Sequence, residues 1–207
     1  MHLTLDPVPF DAPEAHALRT AQQAELHVRY GSEDHEPGEQ PTAANVPFFL
    51  VARTEDGRAV GCGGLRPLAG GGLEVKRMYV LPELRGSGVA TAILRRIEDE
   101  ARARGVAELL LETGVGQPDA MRFYEREGYH RIPAFGAYVG EDHSVCYARV
   151  LGAPAATSGS PVGPAAAGAG AAGAESGVEP GAGTAGAESG VEPGAGAAGV
   201  ECVLPNR

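Results

Sequence analysis

Apolar and polar positions follow two rhythms along residues 1–151, and the switches between them mark the elements. Leu3-Thr4-Leu5 starts a first strand, closed by Pro7 and Pro9. From Glu14 to Tyr30, Ala17, Ala21, Ala24 and Val28, with Leu18 and Leu26, recur at three-to-four spacing and predict a helix, with Asp11 as its cap. Val46 to Arg53 is continuously apolar at Phe48-Phe49-Leu50-Val51 and predicts a buried strand. Glu55-Asp56-Gly57-Arg58 is a tight turn, so Ala59 to Arg66 pairs back on that strand. Ala69-Gly70-Gly71-Gly72 then turns the chain into a strand at Leu73–Val80, in which Val75 and Tyr79 suit a pleated surface.

Next, Val89, Ile93, Ile97 and Ala101, widened by Ala90 and Leu94, form a stripe, with Arg95, Arg96, Glu98, Asp99 and Arg102 on the opposite face. This predicts a helix ending near Arg104, followed by a buried strand at Glu108–Glu112. A strand–helix–strand unit of this length is parallel and right-handed. Pro118 to Glu127 is a further helix ended by Gly128, and Tyr129–Ile132 and Ser144–Leu151 complete the sheet. The pattern predicts a mixed α/β (α+β) fold: a mostly antiparallel sheet with a central parallel strand pair and flanking helices.

Composition changes abruptly at Gly152. Residues 152–207 lack Phe, Tyr, Trp, Ile and Lys, and the block Ala-Gly-Ala-Glu-Ser-Gly-Val-Glu-Pro-Gly-Ala-Gly occurs at 172–183 and again at 185–196. Each unit has one Val and no face to bury, so nothing offsets a backbone ordering cost of about 1–2 kcal/mol per residue. The expectation is one domain at 1–151 and a disordered tail at 152–207.

Charge restricts the partners. Residues 1–151 hold 22 acids and 16 bases, with eight acids in residues 1–45 against Arg19 and Arg29. No basic patch matches a phosphate backbone, so nucleic acid is not an expected partner. The three cysteines, 62, 146 and 202, are widely spaced, which argues against a disulfide framework or zinc site and suits a reducing cytoplasm. His35-Glu36 has no second histidine at helical spacing, so no metal is expected. The N-terminus shows no signal-peptide pattern, and no apolar run reaches membrane-spanning length, so no membrane association is expected.

The candidate chemistry lies between the central strand and its helix, at Arg85-Gly86-Ser87-Gly88-Val89-Ala90. A helix start leaves backbone N–H groups without partners and carries partial positive charge. Gly86 and Gly88 would let a phosphate approach those groups, with Arg85 at the rim. A plain strand-to-helix turn that uses glycine for its dihedrals is the alternative. Walker and dinucleotide loops are excluded: no lysine lies near the turn, Thr91 stands where a third glycine is needed, and Leu81-Pro82-Glu83-Leu84 separates strand from turn.

The turn, Met78-Tyr79-Val80-Leu81-Pro82 before it, and Gln117 to Tyr129 with its Tyr124-x-x-x-Gly128-Tyr129 ending together resemble the GNAT superfamily of N-acetyltransferases, over roughly residues 46–151. The resemblance implies acetyl-coenzyme A as acetyl donor and an amine-bearing acceptor. It implies that Met78, Tyr79 and Val80 on splayed strands face the cofactor, and that the N–H groups from Arg85 through Ala90, including Ser87 and Val89, hold the diphosphate. Tyr124 is implied as the acid for the leaving thiolate. Gln117 stands where the family has an asparagine that holds the pantetheine. Glu74 is implied as a general base acting through water, with Glu112 as second choice; many relatives use no fixed base.

Substrate selection in such folds involves the first helix, the following loop and the final strands, here Glu25 to Tyr30, the acidic loop and Phe135-Gly136-Ala137-Tyr138. Arg29, beside Tyr30, suits an acceptor carboxylate, whereas Glu33, Asp34 and Glu36 suit a polyamine or aminoglycoside. Dimers are common among lookalikes, but no residue here forces one. A catalytic N-acetyltransferase, acting by direct attack on a small-molecule or peptide amine, is the first expectation. A non-catalytic acyl-coenzyme A-binding sensor or interaction module is the alternative.

Overall fold

Why the sheet opens at its middle follows from its pairing. In the computed structural model, which describes residues 2–31 and 37–152, the strands are β1 (Leu3–Pro7), β2 (Phe48–Thr54), β3 (Ala59–Pro67), β4 (Leu73–Val80), β5 (Glu108–Gly114), β6 (His130–Ile132) and β7 (Ser144–Val150). They form one sheet in the order β1-β2-β3-β4-β5-β7-β6. All neighbours are antiparallel except β4 and β5, which pair in parallel only from Leu73 with Leu109 to Val75 with Leu111. Beyond Val75, β4 stays paired with β3 alone. There Arg77 and Met78 together oppose Gly63, a bulge in which Arg77 takes a φ of 57°.

Three helices cover the sheet: α1 (Pro13–Tyr30), α2 (Val89–Ala103) and α3 (Pro118–Arg126). Alternate residues of β2 supply two cores, Phe48, Leu50 and Ala52 packing with α2, and Phe49 and Val51 packing with Leu18 of α1. Burial on both faces explains the unbroken apolar run of that strand. Val89, Ile93, Leu94 and Ile97 of α2 are fully buried, each contributing up to about 1.5–3 kcal/mol. Glycines in β3 bring α2 close: a Cβ on Gly63 would lie 2.8 Å from Ile97 Cδ1 and 2.8 Å from Met78 Sδ.

The predicted elements form, with three corrections. Asp11 does not cap α1; Ala12 occupies the cap position without a side-chain hydrogen bond, and Pro13 begins the helix. The alanine stripe of α1 does not face inward, since Ala17 and Ala24 are exposed and Val28 is 82% exposed. Of the predicted pattern Leu18 is buried, beside Ala15, and Ala21 packs against the same core; that face continues through polar residues toward the sheet opening. Glu98, placed by spacing on the solvent face of α2, is fully buried. It accepts hydrogen bonds from Arg95 at 2.9 Å, Arg149 at 2.7 Å and the Tyr129 hydroxyl at 3.2 Å, three partners that satisfy its charge. The predicted tail from Ala153 and the acidic loop residues 32–36 lie outside the described residues.

Candidate active site

The parting of β4 and β5 opens two clefts that meet. One, of about 660 Å³, is lined by Val80, Arg85, Gly86, Gly88, Ala90 and Phe123 among others. The other, of about 770 Å³, is lined by Lys76, Glu112, Thr113, Ala137, His143 and Ser144 among others. Gln22, Met78, Gln117, Ala120 and Tyr124 border both.

Strand polarity decides what the protein presents at the junction. Leu81 N–H donates to Val60 O at 3.0 Å, so the neighbouring peptide groups of Val80 point away from β3, into the opening. Consistent with this, Val80 O accepts from Arg85 Nε at 3.1 Å, and Met78 O accepts from Gln22 Nε2 at 2.9 Å. Tyr79 is buried in the core beneath α1 and also lines the first cleft, its ring 5.7 Å from the Arg85 guanidinium.

The glycine turn fits an anion over part of its predicted length. Arg85 N–H donates to Pro82 O at 3.2 Å and Ser87 N–H to Leu84 O at 3.4 Å, so these two amides are used by the chain itself. The Ser87 hydroxyl also bonds Leu84 O, at 2.6 Å. Among the described residues no backbone carbonyl accepts from Gly86 or Gly88. The helix ladder starts with Ala92 N–H to Gly88 O, leaving the Val89 and Ala90 amides ahead of it. Gly86 and Gly88 take φ of 78° and 93°, and a Cβ at either would meet nothing within 4 Å, so the approach is open. A diphosphate therefore fits at Gly86 and from Gly88 to Ala90.

Arg85 is not an isolated rim charge. It forms a paired contact with Glu25 of α1, at 3.0 and 2.6 Å, and the guanidinium is held more firmly protonated by that hydrogen bond. Glu25 also accepts from Arg29 at 3.3 Å. Neither Gln22 nor Glu25 stood out by spacing. Their signal was a polar run on the helix face that the apolar stripe should have occupied.

Tyr124 is buried, with ring centroids 5.1 Å from Phe123, 5.7 Å from Tyr129 and 6.4 Å from Tyr147. Burial, then the nearby Glu112 carboxylate, pushes its phenol above the ordinary range, so it keeps its proton at neutral pH. Gln117, at the cap of α3, donates through Nε2 to the Tyr30 hydroxyl at 3.3 Å. Tyr30 lies against Gly114 and Gly116, where a Cβ would come within 2.0 and 2.8 Å of its ring or hydroxyl. Arg29 Nη1 donates to Gly116 O at 3.2 Å. Together they tie the end of α1 to the turn between β5 and α3. Tyr30 borders the second cleft, but Arg29 borders the first, away from the expected acceptor position.

The two carboxylates part company. Glu74 is fully buried and lines neither cleft, which does not suit a base that works through water. Its oxygens accept from Arg66 at 2.8 and 3.1 Å and from the Tyr138 hydroxyl at 2.6 Å. Glu112 lines the second cleft. Among the described residues no group of three His, Cys, Asp or Glu could hold a metal ion, and no helix is long and apolar enough to cross a membrane.

A family model described as "Acetyltransferase (GNAT) family" matches residues 15–129. An IAA acetyltransferase of Azospirillum brasilense is 48% identical over 91 residues, 44% of this chain and 59% of that protein. An acetyltransferase of Agrobacterium fabrum is 31% identical over 126 residues, 61% of this chain and 82% of that protein. Among solved structures, one from Klebsiella pneumoniae, described as a candidate acyl-CoA N-acyltransferase, superposes with a TM-score of 0.62 at 32% identity, covering 72% of this chain and 97% of that one. The chain thus spans 59% of the Azospirillum relative, less than two thirds of its length.

Proposed function

The chain belongs to the acetyltransferase (GNAT) family, and on that premise we propose that it moves an acetyl group from acetyl-coenzyme A to a primary amine by direct attack. The observation that carries this reading is the junction, where an anion-accepting cleft and a second cleft share Met78, Gln117 and Tyr124. A binding module has no need for a second cleft at that point.

Bound acetyl-coenzyme A would supply a thioester, whose acyl carbon takes the amine and whose thiolate departs. The amides of Gly86, Gly88, Val89 and Ala90 accept the diphosphate, and Arg85 exchanges part of its pairing with Glu25 for it. The Met78 and Val80 backbone, exposed by the strand parting, orients the pantetheine arm and the carbonyl that gains charge. Gln117 contributes at the same wall once its amide turns from Tyr30. Tyr124 holds a proton where the thiolate leaves. Glu112, which lines the second cleft, rather than the buried Glu74, draws a proton from the incoming amine through a water. Cys62 and Cys146 are buried free thiols, in keeping with the cytoplasm as the working compartment.

The test is a panel of primary amines offered with acetyl-coenzyme A, followed by release of free thiol. Amine-dependent release is expected for at least one class. Tight cofactor binding without release from any amine would favour the sensor module.

A further inference from the structure

What Glu74 holds in place gives it a role. Its Oε1 accepts from the Tyr138 hydroxyl at 2.6 Å, and that hydroxyl in turn accepts from Lys76 Nζ at 2.9 Å. Its Oε2 accepts from Arg66 Nη2 at 2.8 Å, while Arg66 Nη1 donates to Glu39 O at 3.0 Å. Glu74 and Arg66 stand on β4 and β3. Tyr138 belongs to the segment between β6 and β7, on the far side of the strand parting, and Glu39 belongs to the segment between α1 and β2. Arg66 Nη2 also donates to the Tyr138 hydroxyl at 3.3 Å, so one buried carboxylate and the guanidinium it holds together connect two segments that approach the second cleft from opposite arms of the sheet.

Those segments touch. A Cβ built on Gly38 would lie 2.6 Å from Ala137 Cβ, and Gly38 takes a φ of 82°, so the position has neither the room nor the backbone for a side chain. Both residues line the second cleft. With the Tyr138 ring 5.2 Å from Phe135 and edge-on to it, the wall at Ala137 is braced from behind.

We propose that Glu74 is a positioning residue for acceptor selection, clamping Tyr138 and, through Arg66, the Glu39 carbonyl, so that the cleft keeps a fixed wall where Gly38 meets Ala137. The geometry is independent of the acetyltransferase reading; the selected molecule, a small amine rather than a folded protein's surface chain, rests on it. A fixed wall made from the two smallest residues discriminates by size, because neither side can yield without breaking charge-assisted hydrogen bonds.

The experiment compares the full chain with Tyr138→Phe and Glu74→Gln. Hydrogen exchange should accelerate about tenfold in both the 37–47 and 133–143 segments, with the 85–92 segment unchanged. Coenzyme A affinity by calorimetry should stay within about twofold. With ethanolamine, spermidine and a tetrapeptide as graded amines, the KM of the preferred amine should rise about tenfold with kcat much less affected, and the size preference should narrow. Should Glu74→Gln fail to fold, Tyr138→Phe keeps the ring and carries the test. Unchanged exchange in both segments overturns the clamp, as does a Glu74→Gln enzyme that loses kcat at constant KM. Accelerated exchange with no amine turned over by the unaltered protein supports the clamp and refutes the acetyltransferase reading instead.

Discussion

Replacing Tyr124 by Phe separates chemistry from architecture. The ring contacts with Phe123, Tyr129 and Tyr147 are retained, and among the described residues no hydrogen bond is made to the Tyr124 hydroxyl. Stability should therefore change by no more than about 0.5 kcal/mol. The proposed proton donor is lost altogether, and a positioned acid is worth about 10²- to 10⁴-fold. Steady-state thiol release should show kcat down by about a hundredfold or more, with acetyl-coenzyme A affinity unchanged by calorimetry. The pH profile adds a check. Burial and Glu112 raise the phenol above its usual value of about 10, so Tyr124 stays protonated through mildly alkaline solution and contributes no falling limb below that pH. Equal, small losses in turnover and cofactor binding would refute the role.

The other expectations concern the scaffold. A Cβ at Gly64 would lie 2.6 Å from Phe49 Cδ2, 2.7 Å from Phe48 O and 2.9 Å from Val46 Cγ1, so Gly64→Ala should cost about 1–3 kcal/mol and lower Tm in calorimetric scans; an unchanged Tm would mean that β2 and β3 separate freely. The phenols of Tyr124, Tyr129, Tyr138 and Tyr147 are all raised, first by burial. The unfolded chain then releases protons before the native one, so stability is fully present below about pH 10 and declines as pH rises beyond it. Denaturant titrations at stepped pH should show that decline; a flat response from neutral to strongly alkaline pH would contradict it. Burial also pushes the Cys62 thiol up to about 12, so it should resist thiol reagents in the native protein and react on unfolding.

Most of the fold was legible because its periodicities are local. The run at Phe48–Val51, the stripe from Val89 to Ala101 and the helix stop at Gly128 each announce one element. What escaped was set by distant partners. Glu98 looks solvent-facing on α2 until β7 delivers Arg149 and α3 is followed by Tyr129, and no spacing within α2 contains that information. The face of α1 was misassigned because Gln22 and Glu25 point at a cleft rather than at solvent, so the polar positions there were inverted relative to an ordinary amphipathic helix. The bulge at Arg77 and the placement of β7 between β5 and β6 depend on pairing across the sheet. At the site, motif and spacing named the turn and Tyr124, and the fold brings both to the first cleft. The burial of Glu74 was not, because its partners Arg66 and Tyr138 lie eight and 64 residues away.

The central claim is that the amides at Gly86 and from Gly88 to Ala90 receive a diphosphate. It is tested most directly by titrating acetyl-coenzyme A calorimetrically into the unaltered protein, Gly88→Ala and Gly88→Glu. Both variants bear the strain of a side chain at a φ of 93°, of about 1–2 kcal/mol, and neither side chain meets protein within 4 Å at its Cβ. Only the glutamate also brings negative charge to the anion position. The account predicts one-site binding by the unaltered protein, modest weakening in Gly88→Ala and loss of measurable binding in Gly88→Glu. Equal affinity in the two variants, or no binding by the unaltered protein, would contradict it.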